Sequence, residues 1–313
     1  MGAAPFRTPT AGLGLAVASA LAFGGSGPVA KPLIDAGLSP LSVAWLRVAG
    51  AALLLLPLAV RHLGALRRRP VAIVGYGLFA VAGVQSCYFA AIARIPVGVA
   101  LLVEYLAPVL VLAFVRVVLR RRVSRAALVG VVLAVVGLAN VVEVWSGARF
   151  DLLGLGLALA AACCQVVYFV LSESAGDGVG PVAMLGPGLL VGAVAMTVVA
   201  RPWSMPWHLL TTAPEVRGHA VPAIVLVAWI AVVATVVAYL TGIAAVRRLS
   251  APVASTVATL EAVIAALLAW LLLGEAMDAV QIGGGVLVLA GAVVAQRATP
   301  ATAPEPEPVP VGS

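Results

Sequence analysis

The sequence predicts an all-α integral membrane protein of ten transmembrane helices, arranged as two inverted five-helix repeats. Three observations predict it. Apolar stretches, most of them about as long as a membrane span, fill the 313-residue chain nearly end to end. Arginines gather in every second connection between them. The second half of the chain also resembles the first at a fixed offset.

Composition sets the solvent. The chain is 63% hydrophobic and 10% charged, with mean hydropathy +1.15. Soluble domains are nearer about half apolar and about a quarter charged. Disordered chains are poor in apolar residues, so the shortage of charge points to lipid. The apolar stretches lie at 11–34, 40–60, 71–93, 96–116, 125–143, 152–172, 181–200, 220–246, 251–273 and 279–297. Irregular backbone facing lipid would leave polar groups unsatisfied, which requires helices. The alternating ~10-residue strands of a barrel are absent. The first stretch is longer than a signal-peptide core and nine more follow, so it reads as the first span. Residues 1–10 form a cytoplasmic N-terminus, and the Pro-rich run 298–313 is expected to be a disordered cytoplasmic tail.

Orientation follows from the basic residues. With the N-terminus inside, 13 of the 19 Lys and Arg fall in cytoplasmic segments and 5 in external ones, and Arg47 lies within the second stretch. This split predicts a multi-pass protein of the cytoplasmic membrane with both termini cytoplasmic. The same distribution accounts for the net charge of +7 without nucleic acid.

A shift of 154 residues aligns 94–143 with 248–297 without a gap, and eleven of the fifty positions are identical. They include the pairs Arg94/Arg248, Gly130/Gly284 and Gly137/Gly291. GLGLAVASA from Gly12 likewise resembles GLGLALAAA from Gly154. Five spans per half, an odd number, give the halves opposite orientation. Inverted repeats of this kind are common in secondary transporters. The two repeats are placed at 11–143 and 152–297.

Thr259–Val263 (TLEAV) precedes Ala265–Glu275 (AALLAWLLLGE), and a Gly-rich final stretch, GGGVLVLAGAVV, follows. This order resembles the second half of the EamA family of the drug/metabolite transporter superfamily. Ala262 stands where the family has proline. Val99–Val115 (VALLVEYLAPVLVLAFV) looks like the family's fourth span, with Pro108 in place, but Arg120–Arg121 replaces its Gly-Glu ending. The resemblance covers about 11–297. It implies two inverted halves around a central cavity and a carrier of small metabolites, often amino acids or related compounds, or of drugs.

Candidate site residues are the polar groups within the apolar stretches. Glu104 and Glu261 lie near mid-span, where a charge costs roughly 2.5–3.5 kcal/mol on insertion scales. Each reads as a proton-coupling or amine-recognising carboxylate, or as a carboxyl locking helices together. Glu261 shares a face with Ala254, Ala258 and Ala265, which suits close packing. Arg47 either snorkels to the interface, pairs with a carboxylate or binds an anionic substrate. Lys31 reads as an interface anchor. Gln85 and Tyr88 share one helix face, as do Gln165 and Tyr168. With Tyr105, Trp229 and Tyr239, they could hydrogen-bond and stack on a small ligand, anchor an interface or join helices. Asn140 and Gln281 read as structural. Gly24, Gly25, Pro28 and Pro108 are hinge candidates, because proline frees a carbonyl and bends a helix.

Other chemistry has little support. Cys87, Cys163 and Cys164 lack ligand spacing and read as buried apolar residues. His62, His208 and His219 fall in loops, so no metal site is expected. No nucleotide fingerprint appears, so neither a cofactor nor ATP-driven transport is expected. The reading is a secondary transporter, not an enzyme, exporting an amino acid-like compound or drug by alternating access with proton coupling. Its partners are the substrate, membrane lipid and protons. The alternatives are an intramembrane enzyme or lipid carrier, which would need paired catalytic groups, and a passive channel.

Overall fold

The computed structural model describes residues 9–107, 109–110, 124–141, 151–174, 181–246 and 260–298. A helix lies within each of the ten predicted stretches. The first holds α1 (Pro9–Gly24) and α2 (Ser26–Asp35), and the second α3 (Pro40–Leu54) and α4 (Leu56–Arg61). A short α5 (Leu63–Arg68) leads to the third, built of α6 (Pro70–Gly75), a π-helical run Tyr76–Gly83 and α7 (Val84–Ile92). Then come α8 (Val97–Glu104), α9 (Arg125–Val141), α10 (Leu152–Ser174) and α11 (Pro181–Ala200). The eighth stretch holds α12 (Ala223–Ala231), a second π-helical run Val232–Val237 and α13 (Ala238–Val246), followed by α14 (Leu260–Leu273) and α15 (Ala279–Ala298). Among the described residues four helices, Ala11–Asp35, Pro70–Ile92, Ala183–Ala200 and Ala223–Gly242, are long and apolar enough to cross a membrane.

Local chemistry sets the helix ends. The Ser39 side chain accepts the Ser42 amide at 3.1 Å and Pro40 opens α3, the usual N-cap arrangement. Asp278 and Gln281 cap α15 reciprocally: the Gln281 amide donates to Asp278 at 2.8 Å and the Asp278 amide to Gln281 at 3.2 Å. Gly37 (φ 106°) ends α2 and Gly274 (φ 74°) follows α14, in the left-handed region that glycine tolerates.

Two details correct the sequence expectations. The eighth stretch becomes helical at Ala223, not at 220, because His219–Ala220 pairs with Glu215–Val216 in a small antiparallel hairpin. Arg217 (φ 51°) and Gly218 (φ 79°) form its turn, the geometry that matches strand twist. The fold is therefore helical apart from this one hairpin among the described residues.

Packing uses small residues. Ala30, Ala44, Ala51, Ala91, Ala100, Ala134, Ala158 and Ala161 are fully buried, which lets helices approach closely where lipid removes the hydrophobic drive. Large apolar side chains point outward instead, among them Leu53, Val71, Leu152 and Val198, each more than two-thirds exposed. Such a surface suits lipid and would be a liability in water.

The principal contacts between the two halves follow one rule. The first stretch packs on the eighth and ninth, and the sixth on the third and fourth. The second packs on the seventh and eighth, and the seventh on the second and third. The fourth meets the ninth, and the fifth meets the tenth. Adding five to every number, with wrap-around at ten, returns the same set. The α9–α15 seam repeats this residue by residue. A methyl placed on Gly137 would sit 2.6 Å from the Gly284 carbonyl, and one on Gly291 would sit 2.5 Å from the Gly130 carbonyl. These four glycines are the two pairs that the 154-residue offset aligns.

Candidate functional site

The site forms where the breaks and π-helical runs of the first, third and eighth stretches meet α3, α8 and α14. Its most connected residue is Arg47 on α3, which is 2% exposed. Arg47 Nε donates to Thr235 Oγ1 at 2.8 Å, and Nη1 donates to Gln85 Oε1 at 2.8 Å and to Ser26 Oγ. Nη2 donates to the Ala234 carbonyl at 2.8 Å. The guanidinium also lies 5.7 Å from the centre of the Phe89 ring, within cation–π range. Four of its five N–H groups are thus engaged, all by neutral partners.

Local backbone makes this possible. Thr235 and Ala234 lie in the second π-helical run, where Thr235 Oγ1 donates back to the Ile230 carbonyl at 2.8 Å. The irregular turn turns the Ala234 carbonyl toward the guanidinium. Runs of this type recur at functional sites. Ser26 opens α2 just after the helix break at Gly25.

This overturns the snorkelling reading of Arg47: the side chain is buried, with four of its five N–H groups engaged inside the bundle. Nor does it ion-pair with a carboxylate; among the described residues the ion pair is Arg94–Asp151, at 2.8 Å. Arg47 nevertheless lies within electrostatic reach of Glu104, Glu261, Tyr88 and Tyr239.

Glu104 ends α8 and Glu261 lies in the first turn of α14, within electrostatic reach of each other. Tyr105 donates its hydroxyl to Glu261 Oε2 at 3.1 Å. Glu104 is 9% exposed and has no hydrogen-bond partner among the described residues. A buried polar group normally finds one, and Glu104 departs from that rule. Gly24 packs closely on α14: a methyl on it would lie 2.9 Å from the Glu261 carbonyl and 2.8 Å from Ile264.

The remaining candidates divide. Gln85 and Tyr88 are buried on one face of α7, and Tyr88 closes on Gly27. Tyr239 is half-buried and stacks edge-on against Phe23 at 5.0 Å. Trp229 is 44% exposed, and a methyl added at Gly25 would lie 3.4 Å from its indole nitrogen. It borders the site and is not brought into it. Gln165 is half-buried on α10. The Tyr168 side chain and Pro108 lie outside the described residues, as do Ala254 and Ala258. Of the other hinge candidates, Gly24, Gly25 and Pro28 flank the break between α1 and α2. Lys31, half-buried at the end of the first stretch, donates its Nζ to the Ile92 carbonyl at 2.5 Å. Ser26 and Thr235 carry no mark in the sequence, although Ser26 lies between the hinge candidates Gly25 and Pro28.

A core of polar groups inside a bundle with a lipid-compatible surface is the architecture of a multi-helix membrane protein. The profile of the EamA-like transporter family matches residues 10–142 and again 152–296, and the chain belongs to that family. It is 30% identical over 212 residues to the threonine/homoserine exporter RhtA of Salmonella typhimurium, covering 66% of this chain and 64% of the relative. The chain thus matches just under two-thirds of the length of that relative. It is 28% identical over 230 residues to RhtA of Escherichia coli K12, covering 73% and 70%. An uncharacterized transporter of Clostridium kluyveri is 24% identical over 254 residues, covering 78% and 79%. One solved crystal structure superposes with a TM-score of 0.53 at 19% identity, covering 92% of this chain and 97% of its own. That likeness is one of fold.

Proposed function

We propose that the chain is a secondary carrier that exports a small amino acid-like compound across the cytoplasmic membrane by alternating access. Ten spans form two inverted five-helix halves, 11–143 and 152–297, which rock about the cluster of Arg47, Glu104 and Glu261. The five-step rule in the packing and the two family matches support the halves. The arginine distribution supports cytoplasmic termini. The names of the relatives support the substrate class and direction.

The observation that carries the reading is Glu104, buried between the halves without a hydrogen-bond partner among the described residues. Arg47 spends its donors on neutral groups, so the site offers a substrate carboxylates to meet its ammonium. Glu104 holds a proton in one step of the cycle and the ammonium in the other, which couples export to the proton gradient. In proteoliposomes loaded with L-threonine, a pH gradient should accelerate counterflow, and Glu104→Gln should lower gradient-driven transport by about a hundredfold, the lower end of a positioned proton-transfer group. Equal rates for Glu104→Gln and the parent would sink the coupling role.

A further inference from the structure

At the ends of α2 and α14, beside the hairpin, lies a cavity of about 550 Å³. Lys31 and Arg217 line it together with Asp35, Glu215 and Glu275. Both signs of charge therefore face one space, yet none of the five forms an ion pair with another. Backbone groups hold three of them instead. Lys31 Nζ donates to the Ile92 carbonyl and Arg217 Nη1 to the Leu271 carbonyl, each at 2.5 Å. The Val97 amide donates to Glu275 Oε2 at 2.8 Å. Asp35 and Glu215 have no hydrogen-bond partner among the described residues.

Peptide dipoles thus fix these charges without cancelling them. Asp35, Glu215 and Arg217 are exposed and Lys31 and Glu275 half-buried, so both signs of charge are accessible from solvent around one cavity. A purely anionic ligand would face three carboxylates, and a purely cationic one would face Lys31 and Arg217. A molecule carrying both charges on adjacent atoms satisfies both sets. We infer that this pocket binds a zwitterionic α-amino acid, its carboxylate toward Lys31 and Arg217 and its ammonium toward Asp35, Glu215 and Glu275. The pocket adjoins the central cluster through shared helices: Val97 starts the helix that ends at Glu104, and α14 carries both Glu261 and the pocket wall. A role as a staging site on the exit path rests on the carrier reading above. The binding itself does not.

Titration calorimetry on the full chain in lipid nanodiscs tests it, with L-threonine as probe. The double variant Glu104→Gln/Glu261→Gln silences the central cluster and isolates the pocket. Threonine should still bind this variant. Threonine methyl ester and N-acetylthreonine, each lacking one charge, should bind about tenfold more weakly, as loss of one charge-assisted hydrogen bond implies. Asp35→Asn and Glu215→Gln should each weaken threonine binding by a similar factor, and neither removes a hydrogen bond seen in the fold. Loss of all binding in the double variant overturns the pocket and leaves the carrier reading standing. So do affinities within about twofold for Asp35→Asn and Glu215→Gln, or equal binding of the one-charge analogues. Binding in the double variant without threonine transport by the parent protein sinks the carrier reading and keeps the pocket.

Discussion

The Tyr105 hydroxyl donates to Glu261 at 3.1 Å, joining the end of α8 to the start of α14. These helices come from opposite halves of the chain. The bond fixes one carboxylate while its neighbour Glu104 stays unpartnered. Tyr105→Phe should therefore leave the fold intact, costing about 1 kcal/mol of stability, and should alter the affinity for an amine-bearing ligand. Thermal unfolding and threonine binding measured on the same preparation check both parts. A variant with the parent's affinity would remove Glu261 from the site.

Arg47 is a structural hub as much as a charge. Arg47→Ala would leave Gln85, Ser26 and Thr235 without their buried donor, at about 1–3 kcal/mol for each group left unsatisfied. Arg47→Lys keeps the charge but loses the planar fork that reaches several acceptors at once. Both should lower the unfolding midpoint in detergent, the alanine variant more. A lysine variant as stable as the parent would show that charge alone matters here.

The α9–α15 seam should tolerate no side chain. Added methyls at Gly137, Gly284 or Gly291 would meet backbone atoms at 2.5–2.6 Å, and backbone cannot step aside as a flexible side chain can. Each glycine→alanine change should cost about 1–3 kcal/mol, the usual range for overpacking. The control is Gly14→Ala, where nothing lies within 4 Å. Equal stability of the seam and control variants would refute the close approach.

Two exposed-end carboxylates should give opposite pH signatures. Burial pushes the Glu275 carboxyl above the usual carboxylate range; the Val97 amide and Lys31 oppose this and Asp35 adds to it. Its contribution to stability is full below the unfolded value of about 4.3 and fades as pH rises through the raised folded value. Asp151 is held below its ordinary value, first by the Gly154 amide and then by Arg94. Its contribution is present above about 3.9 and is lost as pH falls through the folded value. Against the parent, Glu275→Gln should gain stability as pH rises through the weakly acidic range. Asp151→Asn should differ least at the most acidic pH. Reversed slopes in unfolding measured across pH would contradict both assignments.

Hydropathy made the helical stretches readable, because lipid demands apolar length. The carboxylates were readable for the complementary reason: a mid-span charge is too costly to be accidental. The partners of Arg47 were not. Ser26 and Thr235 lie 21 and 188 residues away in sequence, and a hydroxyl in an apolar run carries no mark of what it will meet. The π-helical runs were equally silent, since a changed hydrogen-bond register leaves composition untouched. Lys31 read as an anchor because a lone lysine at a helix end usually is one. Only tertiary structure brings Lys31, Asp35, Glu215, Arg217 and Glu275 around one cavity.

The glycine seam has a mechanical meaning. Its contacts are carbonyl and amide atoms of two helices, so no side-chain rotation can loosen it. It is a keel, with one plank from each half of the chain. A rearrangement that spares the keel must take its freedom elsewhere, and the break at Gly25, flanked by Gly24 and Ser26 and three residues before Pro28, lies beside both Arg47 and Glu261.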